Sequence, residues 1–207
     1  MNAGVPKQFL NLAGKPMLMH CIEAFYAADP GISIVLALPA GYFHAWQQLC
    51  EQQAFPIPHQ LVAGGETRFH SVQNSLSLTD NEGLIAIHDG ARPLVPVSLI
   101  RSAFLTAGQL GNCIPVTPVT ESLRIVSGTT NRPVHRADFR MVQTPQVFQA
   151  AIIKKAYGQE FHERFTDDAM VAESIGETIH LIDGDPVNFK ITHPYDLVAA
   201  EALLQNL

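Results

Sequence analysis

Along this chain, short apolar runs take turns with helical patterns. Residues 33–39 (SIVLALP), 84–88 (LIAIH) and 112–119 are continuous enough to predict buried strands, and 58–63 predicts a weaker one. Between them, apolar positions recur at helical spacing over roughly 17–29, 41–53, 69–78 and 97–108. Unbroken apolar strands separated by helices are what a parallel sheet covered on both faces requires. The pattern therefore predicts an α/β fold with a doubly wound, mostly parallel sheet, and ligands at the carboxyl ends of its strands. Asp89 follows such an end.

Residues 120–143 break the pattern. There, apolar and polar residues alternate around Ser127-Gly128-Thr129-Thr130-Asn131, which predicts a β-hairpin. A long hairpin has too little core to stand alone in water, so a second subunit is the expected partner. Helices are then predicted at 147–158 and 166–175, the latter capped by Thr166 or Asp167. A strand at 178–183, the loop GDPVNFKIT and a last helix from Pro194 to about Leu204 complete the chain.

Composition narrows the class. With 207 residues, 47% hydrophobic and 15% charged, one folded domain spanning 1–207 is expected. Thirteen basic against 19 acidic residues give a net charge of −6 without a basic cluster, which argues against a nucleic-acid polymer as partner. A single nucleotide held by a few placed cations stays compatible. Cys21, Cys50 and Cys113 are odd in number and form no CxxC pair, which predicts reduced thiols and a cytoplasmic location. The first residues lack the pattern of a signal peptide, and no apolar run is long enough to span a membrane.

Four stretches carry charge where structure alone does not demand it. In VPKQFLNLAGKP, Lys7 lies between Pro6 and Gln8; a lone loop lysine is usually a solvated charge. GGETRFHSV places Gly64 and Gly65 before a helix start, where backbone can approach a flat ligand, although glycine pairs also make ordinary turns. In HDGARP, Asp89 beside Gly90 suits a divalent cation or a ribose hydroxyl, and Arg92 suits a phosphate. An internal Asp89–Arg92 pair is the equally weighted plainer reading. In NFKIT, Lys190 stands between apolar neighbours, pointing into a cleft or snorkelling to solvent. No HExxH, GxSxG, GxGxxG or GxxxxGK[ST] occurs, so zinc hydrolysis, a serine elbow and the commonest dinucleotide and P-loop sites find no support.

Taken together and in order, VPKQFLNLAGKP, GGETRFHSV, HDGARP, TPQVF, FTDDAMVAE and NFKITHPYDL resemble the 2-C-methyl-D-erythritol 4-phosphate cytidylyltransferase family from Val5 to Leu197. The resemblance implies a Rossmann-like domain with a protruding β-arm at 120–143, a homodimer joined through that arm, and cytidylyl transfer from CTP to a polyol phosphate with Mg²⁺ as cofactor. It implies Lys7 and Lys190 at the reacting α-phosphate, Gly64, Gly65, Glu66 and Ser71 around the cytosine, and Asp89 and Gly90 at the ribose or metal. Arg92 would brace that loop. Ser122, where the family usually has threonine, together with Arg136, Thr144, Thr166 and Thr192, would meet the acceptor.

The same resemblance implies a hydrophobic strand and a glycine-rich loop of pattern AAGxGxRM ahead of Pro6-Lys7-Gln8, for which Met1–Val5 offer no counterpart. A start codon assigned too late is the favoured account, and weak CTP binding by the 207-residue chain is the expected consequence. Two rivals follow: a cytidylyltransferase for another polyol phosphate such as ribitol 5-phosphate, separable by assaying both acceptors, and a truncated non-catalytic nucleotide-binding protein, in which replacing either lysine would change nothing.

Overall fold

A computed structural model describes residues 6–205. Met1–Val5, on which the N-terminal expectation falls, lie outside that range. A single helical turn at Lys7–Phe9 leads into two short antiparallel strands, β1 (Asn11–Leu12) and β2 (Lys15–Pro16). Phe9 stacks on Trp46 at 5.5 Å and Leu12 is fully buried, so the backbone that carries Lys7 is anchored from below.

Helix α1 (Met17–Ala28) precedes strand β3 (Val35–Leu38). Helix α2 (Phe43–Gln52) and strand β4 (Gln60–Ala63) follow, β4 running parallel to β3. Next come α3 (Arg68–Leu76), β5 (Leu84–Ile87), α4 (Val97–Leu110) and β6 (Asn112–Pro118). The 120–143 region holds the hairpin β7 (Arg124–Ser127) and β8 (Thr130–Pro133), then β9 (Arg140–Val142). Strand β10 (Gln146–Gln149), helices α5 (Ala150–Ala156) and α6 (Asp168–Glu173), strand β11 (Leu181–Asp183) and helix α7 (Pro194–Leu204) close the chain.

The fold is α/β, but its sheet differs from the expected one in two ways. The main sheet has the order β11-β6-β10-β5, with β9 also on β6. Only β11 pairs parallel there; β10 runs antiparallel to both β5 and β6. Residues 147–149 were expected to begin a helix. Val147 and Phe148 are consecutive and both fully buried, which a strand with two covered faces allows, and both edges of β10 are paired. Pairing on both edges overrides the local helical pattern, which takes over only at Ala150. Truncating Phe148 would cost about 3–5 kcal/mol.

The second difference is a division of the sheet. Among the described strands β3 pairs only with β4, and β5 only with β10, so each keeps one unpaired edge. Two helices bridge the division. Ile34 and Ala86 pack in one cluster with Phe25 of α1, while Phe69 and Val72 of α3 pack with Ile85 and Ile87 of β5. Helix α3 also lies against β3.

The antiparallel course of β10 matters for function. Its register sets Gln146 opposite Ile87, so the chain entering β10 passes the carboxyl end of β5. Thr144 thereby meets Asp89, whose backbone N–H donates to the Thr144 hydroxyl at 3.0 Å.

Candidate active site

The HDGARP and NFKIT loops are joined by backbone bonds. The Ile191 N–H donates to the Ala91 carbonyl at 2.8 Å, and Arg92 Nη1 donates to the Asn188 carbonyl at 2.7 Å. Ile191 is fully buried, which directs its neighbour Lys190 outward, and the Lys190 ammonium lies 2.9 Å from Asp89 Oδ2. From the other end of the sequence, Lys7 donates to the Ile191 carbonyl at 3.3 Å. Two ammonium groups separated by almost the whole chain are thus near enough for Lys190 to act on the charge of Lys7.

Asp89 is the hub. Besides Lys190, Arg92 Nε lies 3.5 Å and Arg68 Nε 3.6 Å from its carboxylate. Burial disfavours the charge on Asp89, but Lys190, Arg68 and Arg92 together outweigh it and hold its pKa below the ordinary 3.8. Lys7 shifts the opposite way for a base: burial, reinforced by Lys190 and only partly offset by Asp89, lowers its pKa below the usual 10.5. Lys7, Arg68, Arg92 and Lys190 gather around Asp89, with Asp168 behind Arg68 and with Asp167 and Glu173 elsewhere on the cavity lining. Four cations brought to one place from distant parts of a chain of net charge −6 suit an anion.

A cavity of about 560 Å³ opens here, lined by Arg68, Asp89, Arg92, Thr144, Thr166 and Lys190 among others. Among the described residues no three His, Cys, Asp or Glu side chains gather to hold a metal ion. The Asp89 carboxylate, expected as a metal ligand, is engaged by three cations.

The hydroxyls expected to touch ligands have other work. His88 Nε2 lies 3.2 Å from the Arg92 carbonyl and must carry the proton, so Nδ1 accepts from the Thr144 hydroxyl at 3.0 Å. Burial lowers the His88 pKa to about 4, which keeps the ring neutral. Thr144 therefore ties β10 to β5, although it also lines the cavity. Thr192 donates its hydroxyl and its N–H to Asp196 at the start of α7. Ser71 Oγ accepts the Gly65 N–H at 3.0 Å and donates to the Thr67 carbonyl, bracing the glycine turn from within.

That turn requires Gly65. A Cβ there would sit 2.3 Å from the His70 side chain, a contact the backbone must shift to relieve. Gly64 donates its N–H to the Leu38 carbonyl, and Glu66 is exposed. Gly90 passes so close to α1 that a Cβ would meet Leu18 at 2.9 Å. Thr166 lines the cavity with its hydroxyl on Met170 Sδ. Ser122 and Arg136 stay outside the cavity; both are exposed, and Arg136 is held by the Thr120 carbonyl at the base of the arm.

Two members of the site were not singled out from the sequence, Arg68 and Asp168. Arg68 makes a two-pronged pair with Asp168 at 2.8 and 2.5 Å, and Asp168 is fully buried. Both lie inside quoted motifs, GGETRFHSV and FTDDAMVAE, but nothing in the sequence joins positions 100 residues apart.

Comparison with known proteins agrees with this geometry. The family model described as 2-C-methyl-D-erythritol 4-phosphate cytidylyltransferase (IspD) matches residues 1–206. The protein of that name from Bacteroides thetaiotaomicron is 47% identical over 204 residues, covering 99% of this chain and 93% of the relative. That from Porphyromonas gingivalis is 44% identical over 205 residues, covering 99% and 91%. The crystal structure of the Thermus thermophilus protein of the same name superposes with a TM-score of 0.79 at 34% identity, covering 97% of this chain and 94% of that one. The chain belongs to the 2-C-methyl-D-erythritol 4-phosphate cytidylyltransferase family.

Proposed function

We propose that the chain transfers the cytidylyl group of CTP to 2-C-methyl-D-erythritol 4-phosphate and releases pyrophosphate. The gathering of Lys7 and Lys190 near Asp89 and Arg92, close enough for Lys190 and Asp89 to act on the Lys7 charge, is the observation that carries this reading. A phosphate oxygen of the acceptor forms a bond to the α-phosphorus of CTP while the bond from that phosphorus to the β-bridging oxygen breaks. The electron pair departs with pyrophosphate. No covalent enzyme intermediate is needed, so catalysis amounts to alignment and charge neutralisation. Lys7 and Lys190 supply compact charges to the crowded α-phosphate. Lys190, half-exposed and paired with Asp89, exchanges that carboxylate for phosphate oxygen, and Asp89 keeps Arg68 and Arg92. Asp89 and Gly90 are then placed for the ribose.

The Gly64-Gly65-Glu66 turn would hold the cytosine. The N–H groups of Gly64 and Gly65 are already used, so its carbonyl oxygens face the task of meeting the exocyclic amino group. A site that depends on that amino donor discriminates strongly against a base lacking it. Mg²⁺ arrives as part of the CTP complex, the substrate form. The acceptor is held by Thr166 and by Ser122 and Arg136 of the 120–143 arm reaching from a second copy, because in one chain these two residues stand apart from the cavity. The whole chain acts as one nucleotidyltransferase unit, and its three unpaired cysteines suit a reducing cytoplasm.

The open edges of β3 and β5 would accept one further strand between them. Pyrophosphate release measured with CTP and either methylerythritol phosphate or ribitol 5-phosphate tests the assignment. Turnover with the first and little with the second is expected. Preference for ribitol 5-phosphate, or release with neither at millimolar CTP, overturns it.

A further inference from the structure

The most deeply buried charge in the described chain, Asp168, has no part in the chemistry above. Its carboxylate accepts both Nη groups of Arg68 and the Tyr157 hydroxyl at 2.6 Å. Burial and the adjacent carboxylate push the Tyr157 pKa up, so the phenol remains a donor. Tyr157 in turn stacks on Phe69, next to Arg68, with ring centroids 4.6 Å apart. The start of α6 is fixed as well: the Ala169 N–H donates to Gln146 Oε1, and Gln146 Nε2 donates to Asp167 Oδ2. Gln146 itself is fully buried in β10.

A buried ion pair is weak evidence for stability, because desolvation offsets most of its attraction and an apolar replacement often does as well. What the pair does here is orient a guanidinium. With both Nη groups on Asp168, the plane of Arg68 is set, and its Nε lies 3.6 Å from Asp89, longer than a hydrogen bond. The Arg68 side chain is 34% exposed, and the cavity that it lines also holds Lys190 and Arg92. A fixed cation with a donor left over, on a cavity wall beside Arg92 and Lys190, is suited to a phosphate oxygen.

We propose that Arg68 binds the phosphate chain of the nucleotide and that Asp168, secured by Tyr157, is the positioning residue that holds it in place. The proposal rests on the reading of the cavity as the CTP site. Binding of inorganic tripolyphosphate by calorimetry tests it without relying on turnover, alongside KM and kcat with CTP and methylerythritol phosphate.

Arg68→Gln and Asp168→Asn should each weaken tripolyphosphate binding and raise KM for CTP by about 10- to 100-fold, the span of one charged hydrogen bond. Asp168→Glu should recover part of the loss. Because Asp168 acts through Arg68, adding Asp168→Asn to Arg68→Gln should cost little more than Arg68→Gln alone. Tyr157→Phe should give a smaller loss in the same direction. If Asp168→Asn does not fold, Arg68→Gln and Tyr157→Phe still decide the matter. Wild-type tripolyphosphate affinity in Arg68→Gln overturns the proposal, and so does an Asp168→Asn that unfolds more easily but binds and turns over like the parent. Weakened tripolyphosphate binding in Arg68→Gln, in a parent that releases no pyrophosphate, would leave the anion site standing and remove the cytidylyl-transfer reading instead.

Discussion

The cleft at the end of β5 and the arm at 120–143 are built by opposite means. In the cleft, cations take partners from distant parts of the chain: Lys7 on Ile191, Lys190 on Asp89, Arg68 on Asp168. In the arm, all eight residues of β7 and β8 are exposed, and so are Phe139, Met141 and Val142 just beyond them. The cleft draws its cations from distant parts of one chain. The arm has exposed apolar surface, and among the described residues its Arg124, Arg136 and Arg140 bond only to neighbours within the arm. A site made of cross-linked cations can be set up in advance, whereas a hairpin with no core gains order only from what it packs against.

Removing the cleft's charges tests one side of that contrast and should give the largest effect. Lys190→Ala and Lys7→Ala should each lower kcat/KM by about 10²- to 10³-fold, as loss of one preorganised charge at a developing anion does. Unfolding by urea should change little, since both ammonium groups are partly exposed and such pairs contribute about 0–1 kcal/mol. Retained turnover in both variants would remove the proposed roles.

The arm comes next in size. Arg136→Ala should raise KM for the acceptor by about 10- to 100-fold and leave CTP binding unchanged. If the arm serves a neighbouring copy, Arg136→Ala and Lys190→Ala chains mixed in equal amounts should regain activity. A mixed dimer contains one site with both residues intact, so about one quarter of wild-type turnover is expected at equilibrium. No recovery in a mixture shown to be dimeric would confine the arm to its own subunit and erase the contrast drawn here.

The two regions also differ in how far the sequence discloses them. Asp89 and Arg92 are legible because their motif ends an apolar run, Lys7 and Lys190 because the motifs around them resemble a family's, and the hairpin is legible from its Ser-Gly-Thr-Thr turn. Pairings across the chain are not. The reversed strand β10 looks like the front of a helix until its neighbours on both sides are known. Arg68 and Asp168 sit in plain view, but only the fold brings them to 2.8 Å. The hydroxyls are half legible for the same reason: Ser71, Thr144 and Thr192 are residue types that suit a ligand, and their hydrogen bonds to Gly65, His88 and Asp196 become visible only in three dimensions.

The smallest predicted effect sharpens the cleft's side of the comparison. Burial and Lys190 lower the pKa of Lys7 below 10.5, so kcat/KM for CTP should fall on the alkaline side at a pH below that of an ordinary lysine. Arginine stays protonated throughout this range, so Lys7→Arg, whatever its absolute rate, should move the fall to higher pH. Stability should not follow the same course. A lysine with a lowered folded-state pKa releases its proton in the native state first, and the unfolded chain then binds more protons. Lys7's own contribution to stability therefore rises with pH across the interval between its folded and unfolded values. Activity and that contribution run in opposite directions through one titration. If rate and unfolding free energy instead decline together in the parent and in Lys7→Arg alike, the alkaline loss is unfolding and Lys7 is not the group being titrated.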